Sequence, residues 1–232
     1  MRATPGTGAR YWLVWFERRG PACYLSHLDT ARALQRTFAR AGIELALSEG
    51  FRPKARLSLP LPLPVGAAGV RELAVTQVAQ TAPAPAGALR ALRAAAPVGL
   101  TPTGLVETQA RPRPRARLAR YRCVLRGEPT ALAGAARWFA SQEEVVVERV
   151  APKGRRTLDL KRYVEDLTVQ AVAGGVQVQF TVRHRSDGAA RPQEVCDLLA
   201  ARAGCPAVIH RLMRCAVSYE GLPGDTCAGD EE

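Results

Sequence analysis

The chain has 232 residues, 47% hydrophobic and 23% charged, which is ordinary for a globular protein large enough to bury a core without metal or disulfide support. Its net charge is +12, and only Lys54, Lys153 and Lys161 are lysines, so the positive charge is almost entirely arginine. Arginine forks grip phosphate bidentately and stack on bases, so RNA, DNA or another polyanion is the expected partner. A high-GC coding bias explains Arg over Lys, but not the excess of Arg over Asp and Glu.

Six cysteines, none in a C-x-x-C pair, are too few for a disulfide scaffold and read as reduced thiols in a cytoplasmic protein. The first ten residues lack the apolar stretch of a secretory signal, and no run nears the ~18 apolar residues of a membrane span. No zinc or iron–sulfur spacing, Walker A loop or G-x-G-x-x-G is present, so neither metal nor cofactor is expected.

Residues 11–17 (YWLVWFE) read as a buried strand. A helix follows, with Ser26 as cap, Asp29 completing a capping-box-like pair, and Leu28, Ala31, Leu34, Phe38 and Ala41 as its apolar face. Gly42 ends it, and Arg32, Arg36 and Arg40 line another face. Strands are expected at 43–47, 72–78 and 98–107, a helix at 85–96, and an edge strand or extended loop at 57–63, where Leu alternates with Ser and Pro. This is the β-α-β-β-α-β order of a ferredoxin-like unit, over residues 10–108.

Residues 109–119 are Pro- and Arg-rich and read as a linker. A second half over 120–220 repeats the order: strands at 121–126, 145–150, 167–172, 176–183 and 208–219, and helices at 131–140 and 192–203. Residues 156–160 form a short extended piece, and the 167–183 hairpin turns at Gly174-Gly175. The expected fold class is therefore α+β, two tandem ferredoxin-like (βαββαβ) halves, with residues 221–232 a disordered acidic tail.

Residues 24–66 concentrate the chemistry. Tyr24, Ser26, His27 and Asp29 gather at a helix start, where free N–H groups attract phosphate; the plainer role of Ser26 and Asp29 is capping. In the loop SEGFRPKARLS, Gly50 permits an unusual backbone angle and Phe51 either stacks on a base or plugs the core. Arg52, Lys54 and Arg56 alternate, which points all three to one side of an extended chain. Lys153, Arg155 and Arg156 form a charged hairpin tip, Arg191 opens the last helix, and His184 is either a site residue or an exposed strand residue.

The stretch YLSHLDTARALQRTFARAGIELALSEGFRPKARLSLPLPLPVG closely resembles the start of the DUF2344 family, with its Y-L-S-H-L-D opening, R-x-x-x-R-A-G helix end, S-x-G-F-x-P loop and P-L-x-x-G close. The later Lys153-Gly154, Leu158-Asp159 and DGAARPQEV segments fit as well. One departure is Ala55, where the family often carries a second proline. The resemblance implies a stand-alone version of a domain found beside, or fused to, radical SAM proteins with a cobalamin-binding-like domain. The expected function is that of a non-catalytic accessory protein of such an enzyme, binding RNA, with tRNA the candidate. One alternative is a metal-independent endoribonuclease with His27 as general acid or base, Tyr24 assisting, and Lys54 or Arg52 stabilising charge. The other is a protein-interaction adaptor whose Arg32, Arg36 and Arg40 meet an acidic patch on the partner.

Overall fold

The computed structural model describes residues 8–151 and 154–222. Lys153 and most of the 221–232 tail lie outside the described residues. The chain is a mixed α+β protein with four α-helices among the described residues and mostly antiparallel strands. It divides into two compact units, residues 1–115 with 219–232, and residues 116–218.

In the first unit the order is β1 (Arg10–Arg18), α1 (His27–Arg40), β2 (Leu57–Ser58), β3 (Ala67–Val78), α2 (Pro85–Ala95) and β4 (Leu100–Thr108). β1 lies between β3 and β4, antiparallel to both, and β2 pairs with β3 through Leu57 and Ser58. Strand alternation sends Trp12, Val14 and Phe16 of β1 to one face, where Leu34 and Phe38 of α1 and Ala88 and Leu92 of α2 cover them. The other face carries Leu13, Leu73 and Val75, packed by Trp15, Tyr219 and Leu222. Arg10 and the Trp12 indole N–H both donate to Glu107, stitching β1 to β4.

Arg18 continues the inward-facing series of Trp12, Val14 and Phe16, and it is only 1% exposed. Its guanidinium donates to the carbonyls of Leu25 (3.1 Å), Pro64 (2.5 Å) and Ala67 (2.9 Å), and to the Thr30 hydroxyl (3.4 Å). One side chain thus fixes both the lead into α1 and the lead into β3. The Gly66 N–H donates to the Cys23 carbonyl (2.8 Å) beside it, and Gly66 takes φ +84°, which a side chain would resist.

Several expectations change. The buried face of α1 is Thr30, Leu34, Thr37 and Phe38, and Leu28 is 64% exposed. Threonine serves in the core because each hydroxyl donates back to a carbonyl one turn earlier, Thr30 to Ser26 and Thr37 to Ala33. Residues 43–47 form isolated bridges, Leu45 with Val78 and Leu47 with Ala55, instead of a strand, because the chain turns into a narrow hairpin there. The β2–β3 pairing is confined to Leu57 and Ser58; Pro60, Pro62 and Pro64 have no N–H to extend it.

In the second unit, β5 (Arg115–Leu125), α3 (Pro129–Ser141), β6 (Val146–Ala151), β7 (Gly154–Asp159), β8 (Val164–Val172), β9 (Gly175–Arg183), α4 (Pro192–Arg202) and β10 (Ile209–Glu220) follow. The sheet order is β10-β5-β9-β8, and β6 and β7 make a separate two-stranded hairpin. β5 begins at Arg115, inside the stretch read as linker. Its Arg-x-Arg-x pattern leaves the first residues exposed, so the apolar alternation that marks a strand starts only at Ala119, Tyr121 and Cys123. Val176, Val178, Phe180 and Val182 of β9 form the centre of this core, with Leu132 and Phe139 of α3 and Val195 and Leu199 of α4 also buried.

Replacing Arg18 with Met leaves buried carbonyls without a donor, each costing about 1–3 kcal/mol. Urea unfolding of Arg18→Met is therefore expected to show a loss of about 3 kcal/mol or more, against little change for the exposed Arg90→Met.

Candidate nucleic-acid interface

The basic loop of the first unit is a backbone-paired finger. The Arg56 N–H donates to the Ala46 carbonyl (2.8 Å), and the Ser48 N–H to the Lys54 carbonyl (2.8 Å). The Lys54 N–H in turn donates to the Ser48 hydroxyl (3.0 Å). Residues 49–53 are the tip, where Gly50 turns the chain with φ +118°. Phe51 is fully exposed there, so it does not plug the core. Arg52, Lys54 and Arg56 are exposed; from Lys54 to Leu57 the chain alternates as an extended segment does, with Ala55 and Leu57 turned inward, whereas Arg52 stands in the bend of the tip. Arg56 is partly engaged, donating to the Leu47 carbonyl and to the Gln77 amide oxygen. The side chains of Arg52 and Lys54 have no partner among the described residues.

At the start of α1, Ser26 caps the helix by accepting from the Asp29 N–H (3.1 Å) and donates its own hydroxyl proton to the Asp29 carboxylate (2.6 Å). That Ser26 bond, and then Arg32 at 3.2 Å, hold the Asp29 carboxyl below its ordinary range. Both residues are therefore occupied in building the helix end. His27 is half-buried, and its ring makes no hydrogen bond among the described residues. It lines a cleft with Arg18, Thr30, Glu72 and Leu61. The cleft holds about 10 Å³, roughly the space of one water. Tyr24, which is 76% exposed, and Lys54 are not in its lining. The structure thus does not gather His27, Tyr24 and Lys54 into one pocket.

In the second unit the remaining candidates surround Glu194. Arg149 of β6, almost fully buried, forks onto both Glu194 oxygens (2.5 and 2.6 Å) and donates to the Ala189 carbonyl. The Arg191 N–H donates to the same carboxylate (2.8 Å), capping α4. Arg156 of β7 stands opposite Arg149 in the hairpin register. Arg155, Arg156 and Arg191 are all exposed, and Arg155 is paired with Glu148 at 3.2 Å. Among the described residues no cluster of three or more His, Cys, Asp or Glu could hold a metal.

Among the buried charged residues that escaped the sequence reading are Arg18, Glu72 and Arg214. For Arg18 and Glu72 the signal was parity: each shares the strand face of the core residues Phe16 and Ala74. His184 is neither a free strand residue nor part of a cleft described here. Its Nε2 is buried without a hydrogen-bond partner among the described residues, and burial together with Arg214 pushes its imidazole below the ordinary value.

Burial alone would raise the Glu194 carboxyl, but the Arg149 fork and the Arg191 N–H outweigh it and hold the group below its ordinary value of 4.5. The stability it contributes is therefore complete above about pH 4.5 and is lost as pH falls through the lowered folded value. A Glu194→Gln variant is expected to lose about 3 kcal/mol at neutral pH, because it strands the buried Arg149. Its stability is expected to fall less steeply in acid than that of the parent, as read by thermal unfolding across a pH series.

Two solved structures share distant likeness. An unknown protein from Galdieria sulphuraria aligns at 10% identity over 85% of this chain and 91% of its own, with a TM-score of 0.27. A candidate glycine cleavage system transcriptional repressor aligns at 9% identity over 92% and 99%, with a TM-score of 0.22. No curated protein matches the sequence. One family does, over residues 10–192, under the description "Uncharacterized protein conserved in bacteria". That match takes in the finger, the α1 start and the Arg149–Glu194 pair, and the chain belongs to the DUF2344 family.

Proposed function

We propose that this protein is a non-catalytic, cytoplasmic RNA-binding accessory of a radical SAM enzyme with a cobalamin-binding-like domain, with tRNA as the candidate ligand. The observation that carries this reading is the finger tip. Phe51 is fully exposed at the tip of a paired loop, and the two cations that follow it, Arg52 and Lys54, have no side-chain partner among the described residues. A nucleic acid satisfies both at once, with an unpaired base on the Phe51 ring and phosphates along Arg52 and Lys54. The charge of +12 adds long-range attraction of the same sign. In the second unit, Arg155, Arg156 and Arg191 offer further phosphate contacts.

The proposed fold assignment is two tandem ferredoxin-like halves. The sheet orders β4-β1-β3-β2 and β10-β5-β9-β8 support it, since each equals 4-1-3-2 when the strands of one βαββαβ unit are numbered in chain order. In the second half the β6–β7 hairpin is then an insertion between the first helix and the second strand.

The test is a salt series with purified protein and a small-RNA pool, without added metal. Binding is expected to weaken steeply with salt, and the RNA to stay intact. Phe51→Ala is expected to weaken binding by about tenfold with little change in salt slope, in line with ~1–3 kcal/mol per stacked base. Arg52→Ala with Lys54→Ala should flatten the slope by about 2. Discrete cleavage products that vanish in His27→Ala would replace the accessory reading with that of a nuclease. Absence of RNA binding at every salt, with an acidic protein partner retained after nuclease treatment, would replace it with that of an adaptor.

A further inference from the structure

Next to the base of the finger, the first unit has an open pocket of about 420 Å³. That lies within the roughly 300–1,000 Å³ typical of small-ligand sites. It lies against residues 75–77 of β3, with Tyr11 of β1 on one side and Arg111-Pro112 on the other. Tyr11 is the register partner of Gln77, so both rise from the sheet face opposite the helices. Two arginines, Arg56 and Arg111, line the pocket, and no acidic residue does. The Arg111 guanidinium, the Tyr11 hydroxyl and the Ser58 hydroxyl make no hydrogen bond or ion pair among the described residues. Val75, Leu57 and Pro112 supply an apolar floor.

This lining selects among ligands. Two guanidinium groups without a counter-charge call for an anion. The apolar floor and the half-buried Tyr11 ring call for a flat, largely apolar body on the same molecule, which a simple phosphate lacks. The free hydroxyls and the Gln77 amide can meet a base edge or a ribose. We infer that this pocket is a nucleotide site, taking one nucleoside monophosphate unit with its phosphate on Arg111 and its base against Tyr11. The unit is either a free nucleotide or one residue of a single-stranded RNA. Arg56 belongs to both the pocket and the finger, and Lys54 to Arg56 in extended chain spans roughly 7 Å. A short oligonucleotide therefore reaches from the finger into the pocket. The RNA source rests on the function proposed above, whereas the nucleotide site itself does not.

The experiment follows the amide resonances of Val75, Thr76 and Gln77 while AMP, UMP, inorganic phosphate or a single-stranded hexaribonucleotide is added. It is repeated for Arg111→Glu and for Arg90→Glu, which makes the same charge change on the exposed side of α2. Nucleoside monophosphates are expected to shift these resonances more strongly than phosphate alone. Arg111→Glu should weaken that binding at least tenfold, and Arg90→Glu should change it less than twofold. If nucleotides leave the β3 resonances unmoved, or if both variants act alike while the hexamer still binds, the pocket assignment falls and RNA binding stands. If nucleotides bind through Arg111 but the hexamer does not, the site is one for free nucleotides and the RNA reading falls. If neither ligand binds, both fall.

Discussion

The buried guanidinium of Arg18 is the constraint on which the first unit depends. A charge taken out of water must be compensated on every side, and here its partners include backbone carbonyls from two separate segments and one threonine hydroxyl. Those carbonyls have to stay where they are. The turn before α1 and the loop before β3 are therefore held to each other through a strand that belongs to neither. The Tyr24–Asp29 and Leu63–Gly66 sequences frame the same buried group, which gives a physical reason for their occurring together in one chain. His27 sits where it does because Arg18 sets the start of its helix.

The finger follows from a different economy. It is held at its base by pairing to β3, through the Ala46 N–H on the Gln77 carbonyl and the Gln77 N–H on the Arg56 carbonyl. Its tip carries no apolar anchor. The loop is shaped by backbone bonds and the Ser48 hydroxyl, so its side chains remain available for contact. In the second unit the logic is reversed. There the hairpin β6–β7 is fastened to α4 by a buried ion pair, and the exposed arginines stand around that fastening.

Much of this was legible in the residues. The strands rich in β-branched and aromatic residues, the helix capped by Ser26, and the Gly174-Gly175 hairpin all declare themselves through local chemistry. What local chemistry hides is a polar side chain with an interior role. Thr30 and Thr37 interrupt the apolar stripe of α1, so a hydropathy reading puts Leu28 in the core, although that residue is exposed. Arg18 and Glu72 look like surface charges until strand parity is traced. Arg115 and Arg117 look like linker because both are exposed in a strand that becomes buried only further on. The pocket was not legible at all, since Tyr11, Arg56, Gln77 and Arg111 meet only through sheet register and chain reversal.

The run of alternating leucine and proline after β2 has a consequence for how this molecule meets others. Leu59, Leu61 and Leu63 turn toward the His27 cleft, while Pro60, Pro62 and Pro64 occupy the intervening positions. A sheet margin normally offers a row of amide hydrogens to any passing chain, and that is how edge-to-edge aggregation begins. Here every second donor has been chemically removed. This stretch therefore offers no full pairing edge to a strand from a second copy or from a misfolded neighbour. Wherever copies of so cationic a chain crowd together, this run of leucines stays close to its own cleft and adds no ladder of donors for a neighbour to join.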